Sequence, residues 1–119
     1  MSEAPAVREW RFYLDDMIRF SERVLSFTAE VTEAEFLADA MRYDATLRNI
    51  ELIGEAATRI PADFRAASPE VPWRMIIATR NQLNHGYLGI DNDTLWSIIS
   101  SDVESLLASL QALKRNLPP

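Results

Sequence analysis

Apolar side chains recur at helical spacing along most of this chain, and no stretch alternates as a half-buried strand would. Trp10, Leu14, Met17, Ile18, Ser21, Val24 and Leu25 share one side of a helix that runs from about Ala6 to Phe27. Thr32-Glu33-Ala34-Glu35 is a capping-box pattern, with a hydroxyl and a carboxylate placed to satisfy each other's early N–H groups. It predicts a second helix continuing to about Thr58, with Phe36, Ala40, Tyr43, Leu47, Ile50, Gly54 and Ala57 as its inner stripe. Pro61 to Arg65 forms a short helical turn between prolines, and Phe64 closes one end of the bundle. A third long helix starts at Pro72, and a last one starts at Asp91 or Asp93 and carries Leu95 through Leu113. Lys114 and Arg115 complement its C-terminal dipole. The reading is all-α: an antiparallel four-helix bundle with an additional short helix, forming one domain over residues 1–119.

Composition excludes several functions. The chain has no cysteine and one histidine, so disulfides, thiolate chemistry and a zinc site are not expected. Three glycines leave no phosphate-cradling loop, and no cofactor is expected. No apolar run reaches the ~20 residues of a membrane span, and the first residues lack the pattern of a signal peptide. A cytoplasmic protein without a membrane partner is the expectation. The formal net charge is −6, which argues against a broad basic surface for nucleic acid. Any polyanion would have to meet a local cluster of cations.

The chemistry concentrates in Arg80-Asn81-Gln82-Leu83-Asn84-His85-Gly86-Tyr87, which holds the single histidine. Pro72 suits the start of this helix, and Gly86 the residue just past its end. Arg80 and Asn84 share a face, as do Asn81 and His85. Arg80 and His85 lie about 140° apart on an ideal helix and converge if it tightens or ends near His85. The partial negative charge at a helix C-terminus suits a protonated imidazole, and so a proton carrier. Trp73 reads as a packing anchor rather than a platform for a base.

The polar side of the second helix repeats Asp44, Arg48, Glu51 and Glu55 at four, three and four residues. It reads either as a solvated face with an Asp44–Arg48 ion pair, worth ~0.3–0.5 kcal/mol, or as support from Arg48 or Asp44 for a site around His85. Gly54 costs about 1 kcal/mol relative to alanine within a helix. Close approach of a neighbouring helix is the expected reason, and room for the motif helix is the functional form of it.

Arg-x4-His-x-Tyr, with Pro72-Trp73-Arg74 before it and Gly89-Ile90-Asp91 after it, resembles the signature of HepT-like toxins of the HEPN ribonuclease superfamily. The similarity extends upstream over Asp44, Arg48-Asn49, Glu51 and Ile53-Gly54-Glu55-Ala56, and downstream to Trp96. The resemblance implies the toxin of a type II toxin–antitoxin pair, acting as a metal-independent endoribonuclease on an RNA substrate. It implies a symmetric homodimer whose two motifs share a cleft. It also implies that Tyr87 is the acceptor for AMP from a cognate MNT-type nucleotidyltransferase antitoxin.

The residues themselves fit such a reaction. His85 can act as general base or acid, and Arg80 is a planar cation suited to phosphate. Asn81 and Asn84 can orient either the imidazole or the phosphate, although Asn84 also fits a plain helix-end role. One histidine per chain means that paired acid and base work by two histidines needs two chains. The alternative is a non-catalytic helical binding module accessory to a nucleotidyltransferase, which the acidic composition suits. Tyr87 would then simply pack beside the motif.

Overall fold

The computed structural model describes residues 9–86 and 90–118. The fold is all-α, with no strand among the described residues. Four long helices carry the bundle: α1 (Trp10–Thr28), α3 (Ala40–Ala57), α5 (Trp73–Asn84) and α7 (Val103–Arg115). Three short ones lie between them: α2 (Glu33–Ala38), α4 (Ala62–Ala66) and α6 (Asn92–Ser97). Of the first expected helix, Ala6 to Arg8 lie outside the described residues.

Helix α3 is central. It packs on α1 along one side and on α5 along the other, while α7 packs on α1. Leu14, Met17 and Val24 of α1, Leu47 and Ala57 of α3, and Leu110 of α7 are completely buried. Each such leucine contributes roughly 1.5–3 kcal/mol through the apolar area it removes from water. Phe36 of α2 is buried against Tyr43 and Trp96, with ring centroids 5.4 and 5.7 Å away. Phe64 of α4 meets Trp10 at 4.6 Å and closes the bundle end, as its place in the sequence suggests. An ion pair of 2.7 Å between Lys114 and Asp15 ties α7 to α1.

The second helix departs from the continuous reading. The capping box forms, with Glu35 N donating to Thr32 Oγ1 at 3.1 Å and Thr32 N to Glu35 Oε1 at 2.9 Å. The helix then stops at Ala38, and Asp39 adopts an extended backbone. Asp39 Oδ1 accepts from Arg42 N at 3.1 Å and so caps a new helix. A short carboxylate side chain offers the backbone N–H an alternative to the helical ladder, and here the alternative wins. Arg42 secures the break by donating to the Phe27 carbonyl at the end of α1.

The last helix also departs from a uniform pattern. Asp91 caps it, accepting from Thr94 N at 2.7 Å. Residues Ile98–Asp102 form a π-helical turn in which Val103 N reaches the Ile98 carbonyl. The extra residue in this turn offsets α7 from α6, and Ser100 Oγ bonds back to the Trp96 carbonyl at 2.7 Å.

Candidate active site

The site is built where α5 crosses α3. Trp73 anchors the start of α5: its ring is buried and its Nε1 donates to the Ser68 carbonyl at 2.9 Å. Pro72 stands one residue before the first helical position, and its carbonyl accepts from Ile76 N at 3.1 Å. Leu83 is the buried residue near the other end. These anchors leave the Arg80 side of the helix against α3.

Gly54 permits the crossing. A β-carbon added there would lie 2.2 Å from Arg80 Cβ and 3.0 Å from both Arg80 Cγ and the Ile76 carbonyl oxygen. No larger residue fits without parting the helices. The close approach lays the Arg80 guanidinium on the next residue of α3. Arg80 Nε and Nη2 both donate to Glu55 Oε2, at 2.9 and 2.6 Å. The Arg80 side chain is about a quarter exposed and that of Glu55 41%, so the cation is the more shielded member of the pair.

Two asparagines complete the hold. Asn81 Oδ1 accepts from Arg80 Nη1 at 3.0 Å. Asn84, with its amide turned to suit its neighbours, accepts from Arg80 Nε at 3.1 Å and donates to Glu51 Oε2. Glu51 in turn accepts from Arg48 Nη1 at 2.8 Å through its other oxygen. The result is a chain of charge-assisted bonds, Arg48–Glu51–Asn84–Arg80–Glu55, spanning α3 and α5. Such bonds are shorter and stronger than neutral ones, and they fix orientation as well as position.

His85 is the C-cap of α5, exposed, with φ −90° and ψ 8°. Its backbone N–H is taken by the Gln82 and Leu83 carbonyls, so the last turn is tightened. Gly86 follows at φ +106°, and its N–H bonds the Leu83 carbonyl at 3.1 Å. The left-handed residue ends the helix, and His85 stands exposed at that end.

The structure brings Arg80, Asn81, Asn84 and Arg48 into one network and puts His85 at its helix end. Asp44 stands apart. It is exposed, in a surface depression with Leu37, Ala40, Tyr43 and Asn92. Arg48 pairs with Glu51 rather than with Asp44, because the residue three further along also lies on its face of the helix. Tyr87 lies outside the described residues. Glu55 and Glu51 are the residues that sequence reasoning passed over as members of a wet face. The signal was Gly54 beside Glu55: a glycine inside a helix marks where another backbone, and its side chains, come near.

Fold and site together define an α-helical bundle protein that presents a braced arginine and an exposed histidine on one helix. The chain belongs to the HepT-like ribonuclease family, whose profile matches residues 17–113. It is 36% identical over 108 residues to the "Probable ribonuclease HepT" of Thermococcus cleftensis, covering 91% of this chain and 98% of that one. Two proteins of Methanocaldococcus jannaschii, provisionally named as RNases, are 37% and 30% identical. The alignments cover 83% and 92% of this chain and 91% of each relative. No solved structure matches the chain significantly. The family places the protein among the ribonucleases.

Proposed function

We propose that this ribonuclease is the toxin of a type II toxin–antitoxin pair and cleaves RNA without a metal ion, with Arg80 and His85 as its catalytic residues. The observation that carries this reading is the bracing of Arg80 by Glu55, Asn81 and Asn84 on the helix that His85 terminates. A guanidinium bonded through Nε, Nη1 and Nη2 is fixed in orientation and keeps one N–H on each Nη for phosphate, so little reorganisation is needed as charge develops.

In this reaction a base removes the proton of a ribose 2′-OH. The resulting oxygen attacks the adjacent phosphorus while the bond to the 5′-oxygen breaks. An acid delivers a proton to that leaving oxygen, and the products are a 2′,3′-cyclic phosphate and a free 5′-hydroxyl. Arg80 neutralises the phosphoryl oxygens, and His85 carries the proton. Family membership supports this catalytic reading over that of a passive binding module.

Two imidazoles require two chains, so the active form is a homodimer. An apolar depression where α3, α5 and the π-helical turn meet, lined by Ile50, Ile53, Ile76 and Ile98, lies beside Met75, which is 57% exposed. Apolar surface of this kind on the motif helix suits a contact between copies.

Control is by adenylylation of Tyr87, two residues beyond His85. The tyrosine oxygen would attack the α-phosphorus of ATP on a cognate MNT-type nucleotidyltransferase, losing its proton and releasing pyrophosphate. The added phosphate would repel a substrate phosphate from the neighbourhood of Arg80.

The test is purified protein with end-labelled RNA in EDTA. Wild type should cleave and leave 2′,3′-cyclic phosphate ends. His85→Ala should fold and lose about 10²–10⁴-fold in rate. Equal cleavage by both proteins overturns the assignment of His85.

A further inference from the structure

In a chain of net charge −6, most cations are already neutralised locally. Arg11, Arg19, Arg42, Arg48, Arg59, Arg80 and Lys114 each stand within 4.0 Å of a carboxylate. Among the described residues Arg23, Arg65, Arg74 and Arg115 stand in no such pair, and two of the four, Arg65 and Arg74, line one groove. It lies between α4 and α5, has a volume of about 530 Å³, and is also lined by Trp73, Ile77 and Asn81. Asn81 is the residue that accepts from Arg80 Nη1. The groove therefore reaches the residue that bonds the arginine of the site.

We infer that this groove binds the single-stranded RNA backbone flanking the scissile phosphate, with Arg65 and Arg74 contacting its phosphates. The inference rests on the ribonuclease reading and adds to it a path for the substrate.

Geometry and charge favour it. Arg74 and Asn81 are two helical turns apart on one face of α5, about 10 Å along its axis. That separation carries a strand from Arg80 toward the start of the helix. Arg65 faces the same space from α4 and is held in place by a bond of 3.1 Å from its Nε to the Ile60 carbonyl. The groove also offers an apolar wall from Ile77 and Ala78, against which ribose can rest. Phosphate contacts fix register without reading sequence. Two cations without carboxylate partners, next to a third at the reacting centre, give an acidic protein a local polyanion track.

The test compares a dinucleotide, too short to fill the groove, with a longer single-stranded oligoribonucleotide. Wild type, Arg74→Glu, Arg65→Ala with Arg74→Ala, and the control Arg23→Ala are assayed for kcat/KM on both. Binding of the longer strand is followed by anisotropy across a salt series in a His85→Ala background. For the groove variants the ratio of kcat/KM, long over short, should fall about tenfold. The salt slope should fall by about 0.7 for each lost single-strand contact. Arg23→Ala should leave both where they are. Because Arg65 also holds the connector, Arg74→Glu carries the charge test if the double variant melts early. Unchanged ratios and slopes overturn the inference. So does a variant that binds RNA normally but escapes inhibition by a nucleotidyltransferase, which would make the groove a protein contact. Wild type that cleaves neither substrate overturns the ribonuclease reading itself, and the groove with it; wild type that cleaves both substrates with equal kcat/KM overturns the groove alone.

Discussion

Gly54 of α3 and Arg80 of α5 touch so closely that a β-carbon on the glycine would fall 2.2 Å from that of the arginine. This contact decides where the guanidinium lies, because the side chain emerges against α3 with Glu55 as the next residue. A helix crossing made for packing thus becomes the means of placing the cation to which the proposed mechanism gives the phosphate.

Gly54→Ala should therefore act on stability and activity together. Alanine gains about 1 kcal/mol of helix propensity, but overpacking costs about 1–3 kcal/mol. The expected outcome is a lower Tm and a fall in kcat larger than the change in KM. Calorimetry with steady-state kinetics checks it, and a more stable, fully active variant would show that the helices part freely.

Glu55→Ala should leave Arg80 charged but loosely placed. A misplacement of about 1 Å at a reacting group can cost ~10²-fold in rate. The loss should appear in kcat, and Glu55→Gln should recover part of it, since an amide oxygen still accepts from Nε. If Glu55→Ala cleaves faster than wild type, the carboxylate restrains Arg80 rather than presenting it.

Tyr87→Phe keeps the ring and removes the acceptor oxygen. The variant should retain ribonuclease activity and resist inactivation by the nucleotidyltransferase with ATP. Intact mass after co-expression should show one AMP on wild type and none on the variant. Inhibition of wild type with no adduct would mean that binding alone controls the enzyme.

Acid should loosen the capped helix starts, each only below the ordinary range of its carboxylate. The Glu35 carboxyl is held below its ordinary 4.5 chiefly by its bond to the Thr32 backbone. Asp39 and Asp91 are held below 3.8 chiefly by the backbone N–H groups of Arg42 and Thr94. Each folded value is depressed, so the cap's contribution is complete above the ordinary value and lost as pH falls through the lower one. Amide shifts of Thr32, Arg42 and Thr94, followed by NMR, should change with midpoints below 4.5, 3.8 and 3.8 respectively. Midpoints at or above those values would mean the caps do not form in solution.

If the active form is a dimer, specific activity should fall on dilution together with the dimer fraction measured by light scattering. Met75→Glu should weaken assembly, because it sets a charge in the apolar surface of α5. Full activity of a monomer at every concentration removes the shared-cleft mechanism.

The sequence by itself determined what depends on local order. Helical periodicity, the capping box at Thr32, the Asp91 cap and the glycine after His85 act over a few residues, and short-range sterics and hydrogen bonds settle them. The all-α bundle and the arginine–histidine helix followed from these. The break at Asp39 was also local, yet it hid inside a continuous apolar stripe, where a side-chain cap competes almost evenly with the helical ladder. The tertiary structure alone decided the rest. Which carboxylate meets Arg80, 25 residues away in sequence, depends on how closely α3 and α5 approach. The convergence of Arg65 and Arg74 on one groove depends on how α4 docks beside α5. Pairings across helices are set by crossing angle and distance, which no local pattern encodes. A glycine such as Gly54 marks only where a crossing falls, not what lies on its other side.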